Sequence, residues 1–218
     1  IDEAYFITQK IIEGVKAGRK YSDYTILYRT NAQSRIFEET LRRFNIPNKV
    51  FGGMQFYQRK EIKDIIAYLN VINNTKDSIS LQRIRNVPKR KIGDRIIEKM
   101  EELGRENNIT LFESMGNADK LERVNKSTLE ALSEFSKVMN ELVEIASEST
   151  VSEVFEALLE KTRYIESFSE DEAKERSQNI DELRNAILEL EKQFEFMTLG
   201  EYLQETSLVS ATDSLSEN

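Results

Sequence analysis

The chain has no cysteine and no histidine among its 218 residues, and it contains only two prolines and eight glycines. Without cysteine there is neither a disulfide nor a thiolate metal site, which agrees with a protein of the reducing cytoplasm. Without histidine the commonest general base and the commonest metal ligand are both missing, and we predict no metal site. The scarcity of proline leaves long helices largely uninterrupted.

Long apolar runs are missing as well. No stretch of about 20 apolar residues is present, and the first residues do not have the pattern of a signal peptide. We therefore expect no contact with a membrane. The chain begins with Ile1 rather than methionine, which we interpret as the mark of a fragment excised from a longer protein.

The net charge of −8 hides an uneven distribution. Residues 1–95 carry a balance of +9, whereas residues 96–218 carry a balance of −17. A basic segment of this kind is typical of nucleic-acid binding. The acidic part is typical of a solvated helical surface, and an acidic docking site for a protein partner is the alternative.

The hydrophobic pattern predicts a mainly α protein with a small, partial α/β piece at its N-terminal end. The second strand of this βαβ-like piece is ended by Gly52 and Gly53. The piece is too small for a complete sheet and indicates the edge of a larger one. Its predicted elements are a helix at 3–18, a strand at Tyr24–Tyr28, a helix at 32–44 and a strand at Lys49–Phe51.

From residue 58 onward the apolar spacing is helical and predicts an all-helical domain. Ser152 is a candidate cap for one of these helices. A polar tail from Ser207 is expected to be disordered. The predicted helices are 58–73, 78–86, 94–106, 110–116, 127–148, 151–162, 170–195 and 198–206.

The most informative stretch is residues 27–35, Leu-Tyr-Arg-Thr-Asn-Ala-Gln-Ser-Arg. It places polar side chains where a predicted strand ends and a helix begins, which is where open α/β sheets bind ligands. Free N–H groups at the start of that helix attract anions, and Arg29 adds a permanent charge with a fork of donors. The alternative is a structural turn in which Asn31 caps the helix and Arg29 pairs with Glu38 or Glu39.

A basic cluster occupies the turn between the predicted helices 78–86 and 94–106. Six of residues 83–95 are basic and only Asp94 is acidic, which gives a local charge of about +5, typical of contact with duplex backbone. A hydrophobic-Gly turn between two helices is the shape of a helix-hairpin-helix, whose backbone approaches a phosphate closely. An ordinary turn with a solvated basic face is the alternative. The residues expected to contact duplex DNA are Lys89, Arg90, Lys91, Ile92, Gly93 and Arg95.

A third stretch, Phe56-Tyr-Gln-Arg-Lys-Glu-Ile-Lys-Asp64, combines aromatic and basic residues at the start of a helix. We expect Phe56 and Tyr57 to pack in the interior, with an i,i+4 ion pair between Lys60 and Asp64 on the helix surface. Direct contact of the basic side chains, Arg59 among them, with DNA is the alternative.

Residues 27–35, 56–64 and 86–93 resemble three motifs of the superfamily-one DNA helicases of the bacterial PcrA/UvrD/Rep type, in the same order and at similar spacing. The resemblance implies that residues 1–56 are part of subdomain 2A and that residues 57–218 are subdomain 2B.

The same resemblance implies a role for each stretch. Arg29 and Asn31 would contact single-stranded DNA. The basic turn would grip duplex DNA ahead of the fork, although Lys91 stands where the family's Gly-Ile-Gly hairpin has its first glycine. Residues at the junction of 2A and 2B would be Phe56, Tyr57, Arg59 and Lys60.

The resemblance further implies that the parent protein is a 3′–5′ ATP-dependent DNA helicase of the bacterial cytoplasm, acting in DNA repair or replication. This chain has no G-x-x-x-x-G-K-[ST] loop, so ATP and Mg²⁺ would bind elsewhere in the parent and we expect no catalytic residue here. Its partners would be single-stranded DNA, duplex DNA and the helicase subdomains 1A, 1B and the rest of 2A. Two alternatives are a helical protein-interaction module that uses the acidic residues 96–218 and a scaffold region of a nuclease-helicase.

Overall fold

The structure is a computed structural model that describes residues 2–51, 54–194 and 196–215. It is mainly helical, as predicted. Ten α-helices follow one another within these described ranges, and the short 3-10 turns Asn31–Gln33 and Phe56–Gln58 precede α2 and α3. The helices are α1 (Asp2–Lys16), α2 (Ser34–Arg43), α3 (Lys60–Asn73), α4 (Ser78–Ile84), α5 (Asp94–Asn107), α6 (Leu111–Gly116), α7 (Lys126–Ala146), α8 (Val151–Thr162), α9 (Glu170–Glu191) and α10 (Leu199–Leu215).

The predicted βαβ-like piece is wrong, because the described residues contain no strand. Tyr24–Tyr28 keeps the alternation expected of a strand, with residues 24, 26 and 28 half-buried and residues 25 and 27 exposed. A strand also needs a neighbour that takes up its N–H and C=O groups, and periodicity along the chain carries no information about that neighbour. Lys49–Phe51 is not a strand either, and Gly52 and Gly53, which were expected to end it, lie outside the described residues.

A small apolar cluster holds the first part of the chain together. Ile11 of α1 packs with Leu41 of α2 and with Ile46, and the half-buried Tyr24 and Ile26 cover them. This cluster is separate from the main core, so α1, α2 and the extended segment between them form their own packed unit.

The main core is built around α3. Ile62, Ile65 and Leu69 of this helix are fully buried, because apolar residues occupy several of its faces rather than one stripe. Side chains from α4 to α10 surround them and complete one continuous apolar cluster. The helix therefore lies at the centre of a helical domain.

Four buried tyrosines contribute hydroxyl groups to the interior. Burial raises the pKa of Tyr68 to about 12, and it also raises the pKa values of Tyr57, Tyr164 and Tyr202. Their hydroxyl groups therefore stay protonated well above the pH at which an exposed tyrosine ionises, and Tyr57, Tyr68 and Tyr164 act there as hydrogen-bond donors.

Helix starts follow capping chemistry that the sequence contains. Thr150 caps α8 by accepting from the N–H of Glu153, while Glu153 accepts from the N–H of Thr150 at 2.8 Å. The prediction of Ser152 as the cap is therefore wrong, because the cap is Thr150, two residues earlier. At the other end of the chain α10 continues to Leu215, so residues 207–215 are helical rather than a disordered tail.

Candidate nucleic-acid interface

Gln33 shapes the turn that follows the extended segment. Its Oε1 atom accepts from the backbone N–H of Arg29 at 2.9 Å and from that of Thr30 at 3.2 Å. Thr30 is extended, with φ −125° and ψ 145°, and the chain turns into the 3-10 turn Asn31–Gln33 directly after it. The polar side chain of Gln33, for which no role was predicted, therefore fixes where the motif residues lie.

Asn31 does not cap α2, so the structural alternative for this residue is wrong. Its side-chain Nδ2 donates to Glu175 Oε1 of α9 at 2.7 Å, and its backbone carbonyl accepts from Arg59 Nη2 at 2.8 Å. The amide is exposed and already donates to an anionic oxygen.

Arg29 is exposed, and its guanidinium forms no ion pair with any carboxylate among the described residues. Its proposed structural partners are occupied elsewhere. Glu38 accepts from the backbone N–H of Phe56 at 3.1 Å, and Glu39 accepts from Arg35 and Tyr57. A permanent positive charge is thus left facing solvent beside the turn.

Arg29 also lines a groove of about 520 Å³. Two aromatic rings in this groove, Tyr28 and Phe37, lie nearly parallel, with centroids 6.4 Å apart and an interplanar angle of 13°. The other residues that line the groove are Glu3, Leu27 and Gln33.

Three of the four residues expected at the junction of 2A and 2B, namely Phe56, Tyr57 and Arg59, are buried. Phe56 is fully buried, and its ring contacts the Tyr57 ring at a centroid distance of 5.1 Å. Arg59 is only 7% exposed, donates to Ser34 Oγ and Asn179 Oδ1 at 2.8 Å each, and lies over the Phe56 ring. Its guanidinium is used inside the protein, which leaves it no free donor fork for DNA.

Lys60 is the exception at the junction, because it is exposed and forms no ion pair with the described carboxylates. The predicted pair with Asp64 is wrong. Asp64 is only 1% exposed, pairs with Arg83 of α4 at 2.7 Å and accepts from the Tyr164 hydroxyl at 2.9 Å. The buried carboxylate of Asp64 is bound by Arg83 and Tyr164, so Lys60 remains in contact with solvent.

Arg35 lies in a cluster of three carboxylates, although no role was predicted for it. This residue of α2 is 3% exposed and pairs with Glu39 and Glu182 at 2.7 Å and with Glu189 at 3.2 Å. Burial alone would lower the pKa of the guanidinium, but the Glu39 and Glu182 carboxylates outweigh it and raise the pKa above its usual value. Burial raises the pKa of Glu39 in turn, against the opposing effect of Arg35.

The glutamates of α9 that receive these contacts recur every seven residues. Glu175, Glu182 and Glu189 therefore lie on one face of α9, which is turned toward Asn31 and Arg35. A solvated surface was predicted for the acidic part. Glu175 is exposed, in agreement with that prediction, whereas Glu182 and Glu189 are only partly exposed because they pair with Arg35. A seven-residue spacing of glutamates was the signal that could have indicated a common face.

The basic turn, residues 85–93, contains fewer free cations than its charge suggests. Arg85 pairs with Asp94. Arg90 turns inward, where it donates to the backbone carbonyls of Val87 and Pro88 at 2.8 and 3.2 Å and to the Tyr68 hydroxyl at 2.7 Å. Its guanidinium also lies 5.0 Å from the centroid of the Phe135 ring.

Three cations of this turn region remain exposed, namely Lys89, Lys91 and Arg95, and none of them pairs with a carboxylate in the described part of the chain. Lys91 has φ 65°, the left-handed conformation that glycine favours. Lys91, which stands where a glycine was expected, therefore adopts a backbone conformation that is typical of glycine.

The end of the turn presents its backbone rather than its side chains. Ile92 is fully buried and anchors the turn in the main core. Gly93 starts α5, and a Cβ atom added there would meet nothing within 4 Å, so space is open above its backbone. Ile92 thus holds the turn while Gly93 leaves access to it.

Among the residues that the structure describes, no helix is long and apolar enough to cross a membrane. No group of three or more aspartate or glutamate side chains among them is arranged to hold a metal ion.

Comparison with known proteins gives one family. The model of the UvrD-like helicase C-terminal domain matches residues 1–218. An ATP-dependent DNA helicase PcrA of Staphylococcus aureus is 39% identical over 217 residues, which cover 97% of this chain and 30% of that protein. The same values hold for an ATP-dependent DNA helicase PcrA of Staphylococcus epidermidis. The chain thus spans about 30% of the length of these curated relatives.

Proposed function

We propose, from the premise that the chain belongs to the UvrD-like helicase C-terminal domain family, that it is the DNA-contacting and regulatory part of an ATP-dependent DNA helicase. Residues 1–56 would be the first part of subdomain 2A and residues 57–218 would be subdomain 2B. The full-length enzyme would move 3′ to 5′ along single-stranded DNA. Because this chain has no phosphate-binding loop, ATP and Mg²⁺ are assigned to other segments of that enzyme.

The observation that carries the single-strand assignment is the exposed Arg29, which pairs with no carboxylate among the described residues, beside the exposed amide of Asn31. A guanidinium with its donor fork free is suited to a phosphate oxygen. The Asn31 amide already donates to the carboxylate of Glu175, and a phosphate oxygen is an acceptor of the same charge sign. Single-stranded DNA would therefore replace Glu175 at Asn31 and add a contact at Arg29.

For duplex DNA the proposal assigns two different roles within the basic turn. Lys89, Lys91 and Arg95 are exposed cations that can neutralise phosphates. Arg90 and Ile92, which the sequence placed among the DNA contacts, are proposed to position the turn from inside. Gly93 gives a phosphate access to the backbone at the start of α5.

Regulation follows from the character of the junction. The contacts that join residues 1–56 to α9 and to Arg59 are hydrogen bonds of Asn31 and Ser34 and ion pairs of Arg35. When the joint opens, water or phosphate can take the place of these polar partners. We infer that 2B changes its position against 2A at this junction and so regulates unwinding.

The proposed partners are single-stranded DNA, duplex DNA and the helicase subdomains 1A, 1B and the rest of 2A. The alternative of an acidic protein-interaction module has less support, because Glu175, Glu182 and Glu189 contact this chain itself. No observation in the structure favours the nuclease-helicase scaffold.

Changing Arg29 to alanine is expected to weaken binding of single-stranded DNA roughly ten- to a hundredfold, because a charged contact with phosphate contributes about 1.5–3 kcal/mol. Asn31→Ser, which keeps a short polar side chain but removes the amide, should weaken binding to a smaller extent. Fluorescence anisotropy with a labelled oligothymidylate measures both, first on this chain and then on the full-length protein.

Arg19→Ala serves as the matched control, since Arg19 is also exposed but lies outside the motif. In the full-length protein, DNA-stimulated ATP hydrolysis should fall in the Arg29 variant while hydrolysis without DNA stays nearly unchanged. Normal single-strand binding by both Arg29→Ala and Asn31→Ser would show that the single-strand assignment is wrong.

Replacing Lys89, Lys91 and Arg95 together by alanine is expected to flatten the salt dependence of duplex binding. Each lost phosphate contact removes about 0.9 from the slope of log affinity against log salt, so the triple variant should lose about two to three units. Titration of a labelled duplex at several salt concentrations measures the slope.

The control for this experiment is a second triple variant, in which the exposed residues Lys120, Arg123 and Lys137 become alanine. It removes the same charge from another part of the surface and should leave the slope within about one unit of the parent. Equal slopes for the two triple variants would show that the basic turn contributes no more to duplex binding than charge elsewhere on the surface.

A further inference from the structure

The basic turn is bound from inside the protein by a tyrosine that DNA cannot reach. Tyr68 of α3 is fully buried, and its hydroxyl donates to the Val87 carbonyl and accepts from Arg90 Nη2 at 2.7 Å. A phenol hydroxyl can donate and accept at once, so one atom of α3 holds two groups of the turn. The DNA contacts proposed above give this residue no role.

Arg90 and Tyr68 stabilise the turn in different ways. The Arg90 guanidinium donates to the carbonyls of Ile84, Val87 and Pro88 at 3.3, 2.8 and 3.2 Å, and these partners lie only two to six residues before it. Such local bonds hold the shape of the turn but do not join it to another part of the protein. The bond to the Tyr68 hydroxyl, 22 residues away, does join it to α3.

The contribution of the hydroxyl is a direction. Ile92 is fully buried in the main core, but apolar burial is non-directional. The Phe135 ring, whose centroid lies 5.0 Å from the Arg90 guanidinium, attracts the charge rather than one particular N–H group. Hydrogen bonds weaken steeply when they are bent. Ile92 therefore fixes how deeply the turn sits, and the Tyr68 hydroxyl fixes how the turn is oriented.

Orientation matters for a rigid ligand and not for a flexible one. Duplex DNA is stiff over many base pairs, so its phosphates lie at fixed positions. Exposed cations such as Lys89 and Lys91 meet those phosphates at lower entropic cost when the turn that carries them is already ordered. A flexible polyanion instead follows the cations wherever they lie, so its binding depends mainly on their number.

We propose that Tyr68 is the positioning residue that makes the basic turn selective for duplex DNA over flexible polyanions. Tyr68 does not touch the DNA. It holds the turn through Val87 and Arg90 and so orients Lys89 and Lys91 toward the duplex backbone. The proposal deepens the duplex assignment made above and rests on it.

The test is Tyr68→Phe, which removes the hydroxyl and keeps the ring and every cation. Binding of a labelled duplex should weaken roughly three- to tenfold at every salt concentration, because only a fraction of the molecules then has the turn oriented for binding. The slope of log affinity against log salt should stay within about 0.5 of that of the unchanged chain, since no phosphate contact is lost. Binding of long-chain inorganic polyphosphate, measured by competition, should change by less than about twofold.

Tyr164→Phe is the matched control. Tyr164 is also buried, but its hydroxyl donates to Asp64 Oδ2 at 2.9 Å rather than to the turn. This variant should lose stability as Tyr68→Phe does and should bind duplex and polyphosphate as the unchanged chain does. Urea unfolding followed by circular dichroism identifies conditions in which both variants are folded. Folding of Tyr68→Phe is expected, because the Val87 carbonyl keeps Arg90 as a donor at 2.8 Å.

Three outcomes would overturn the positioning role while the duplex assignment stands. The folded Tyr68→Phe variant could bind duplex as tightly as the unchanged chain, it could lose duplex and polyphosphate binding by the same factor, or Tyr164→Phe could lose as much duplex binding. A different outcome removes both proposals. If the unchanged chain binds duplex no more tightly than the triple variant of Lys89, Lys91 and Arg95, the basic turn is not a duplex site and Tyr68 has nothing to position.

Discussion

Arg35→Ala is expected to lower the free energy of unfolding by about 3–5 kcal/mol, because it leaves three carboxylates without their buried cation. Arg35 is the residue on which Glu39, Glu182 and Glu189 converge, and it is almost fully buried. Alanine supplies neither charge nor hydrogen bonds in its place. Urea unfolding followed by circular dichroism measures the loss.

Glu189→Gln is the control on the same cluster. Glu189 is the most exposed of the three carboxylates and lies at the longest distance from Arg35, 3.2 Å. Because the cluster has three anions for one cation, removing one negative charge there should change stability by less than about 1 kcal/mol. A loss of similar size in both variants would contradict this expectation, because it would show that the charge of Glu189 alone contributes as much as the whole cluster around Arg35.

Arg90→Ala is expected to cost about 1.5–3 kcal/mol of stability, since it removes the charged, half-buried hydrogen bonds to the Pro88 carbonyl and the Tyr68 hydroxyl. The Arg90 guanidinium donates to the carbonyls of Val87 and Pro88 and to the Tyr68 hydroxyl, and it covers the Phe135 ring. Thermal and urea unfolding measure this effect directly.

Lys89→Ala provides the matched comparison one residue away. Lys89 is exposed and unpaired with the described carboxylates, so its loss should change stability by no more than about 0.5 kcal/mol. In duplex binding Lys89→Ala should have the larger effect of the two variants on salt dependence, because it should flatten the slope of log affinity against log salt. If the Arg90→Ala variant is as stable as the parent, Arg90 has no structural role and is a surface cation, as the sequence suggested.

Helices were predictable because their signal is local. The apolar period predicted a helix at 58–73 where α3 runs from Lys60 to Asn73, and it gave the bounds of α8 as they are found. Apolar side chains three and four residues apart lie on one face of a helix whatever the rest of the chain does. The strand at Tyr24–Tyr28 failed for the opposite reason, since a strand depends on a neighbour.

The polar partners of the candidate site could not be predicted from spacing. Arg35 pairs with Glu182, which lies 147 residues further along the chain. Arg59 donates to Asn179, which lies 120 residues further along. Which of many carboxylates meets a given arginine is decided by how the helices pack. The sequence therefore located Arg29 and Asn31 as motif residues but gave no reason to choose Arg35 or α9.

The basic turn shows the same limit in terms of charge. Counting residues gives about +5, but Arg83, Arg85 and Arg90 are engaged within the protein. A guanidinium can serve a carbonyl, a carboxylate or a phosphate equally well, and only the fold shows which of these it meets. Lysine at positions 89 and 91 is a better sequence indicator of solvent exposure, because its ammonium is more strongly hydrated.

The two apolar clusters meet across contacts that are largely polar, and this has a calorimetric consequence. Opening the contacts of Asn31, Arg35 and Arg59 with α9 would expose little hydrocarbon to water. A transition of that kind changes the heat capacity only slightly, since heat capacity follows newly exposed apolar surface. The joint would consequently open and close with a nearly temperature-independent enthalpy, and dissolved ions would shift its equilibrium because they screen the ion pairs of Arg35.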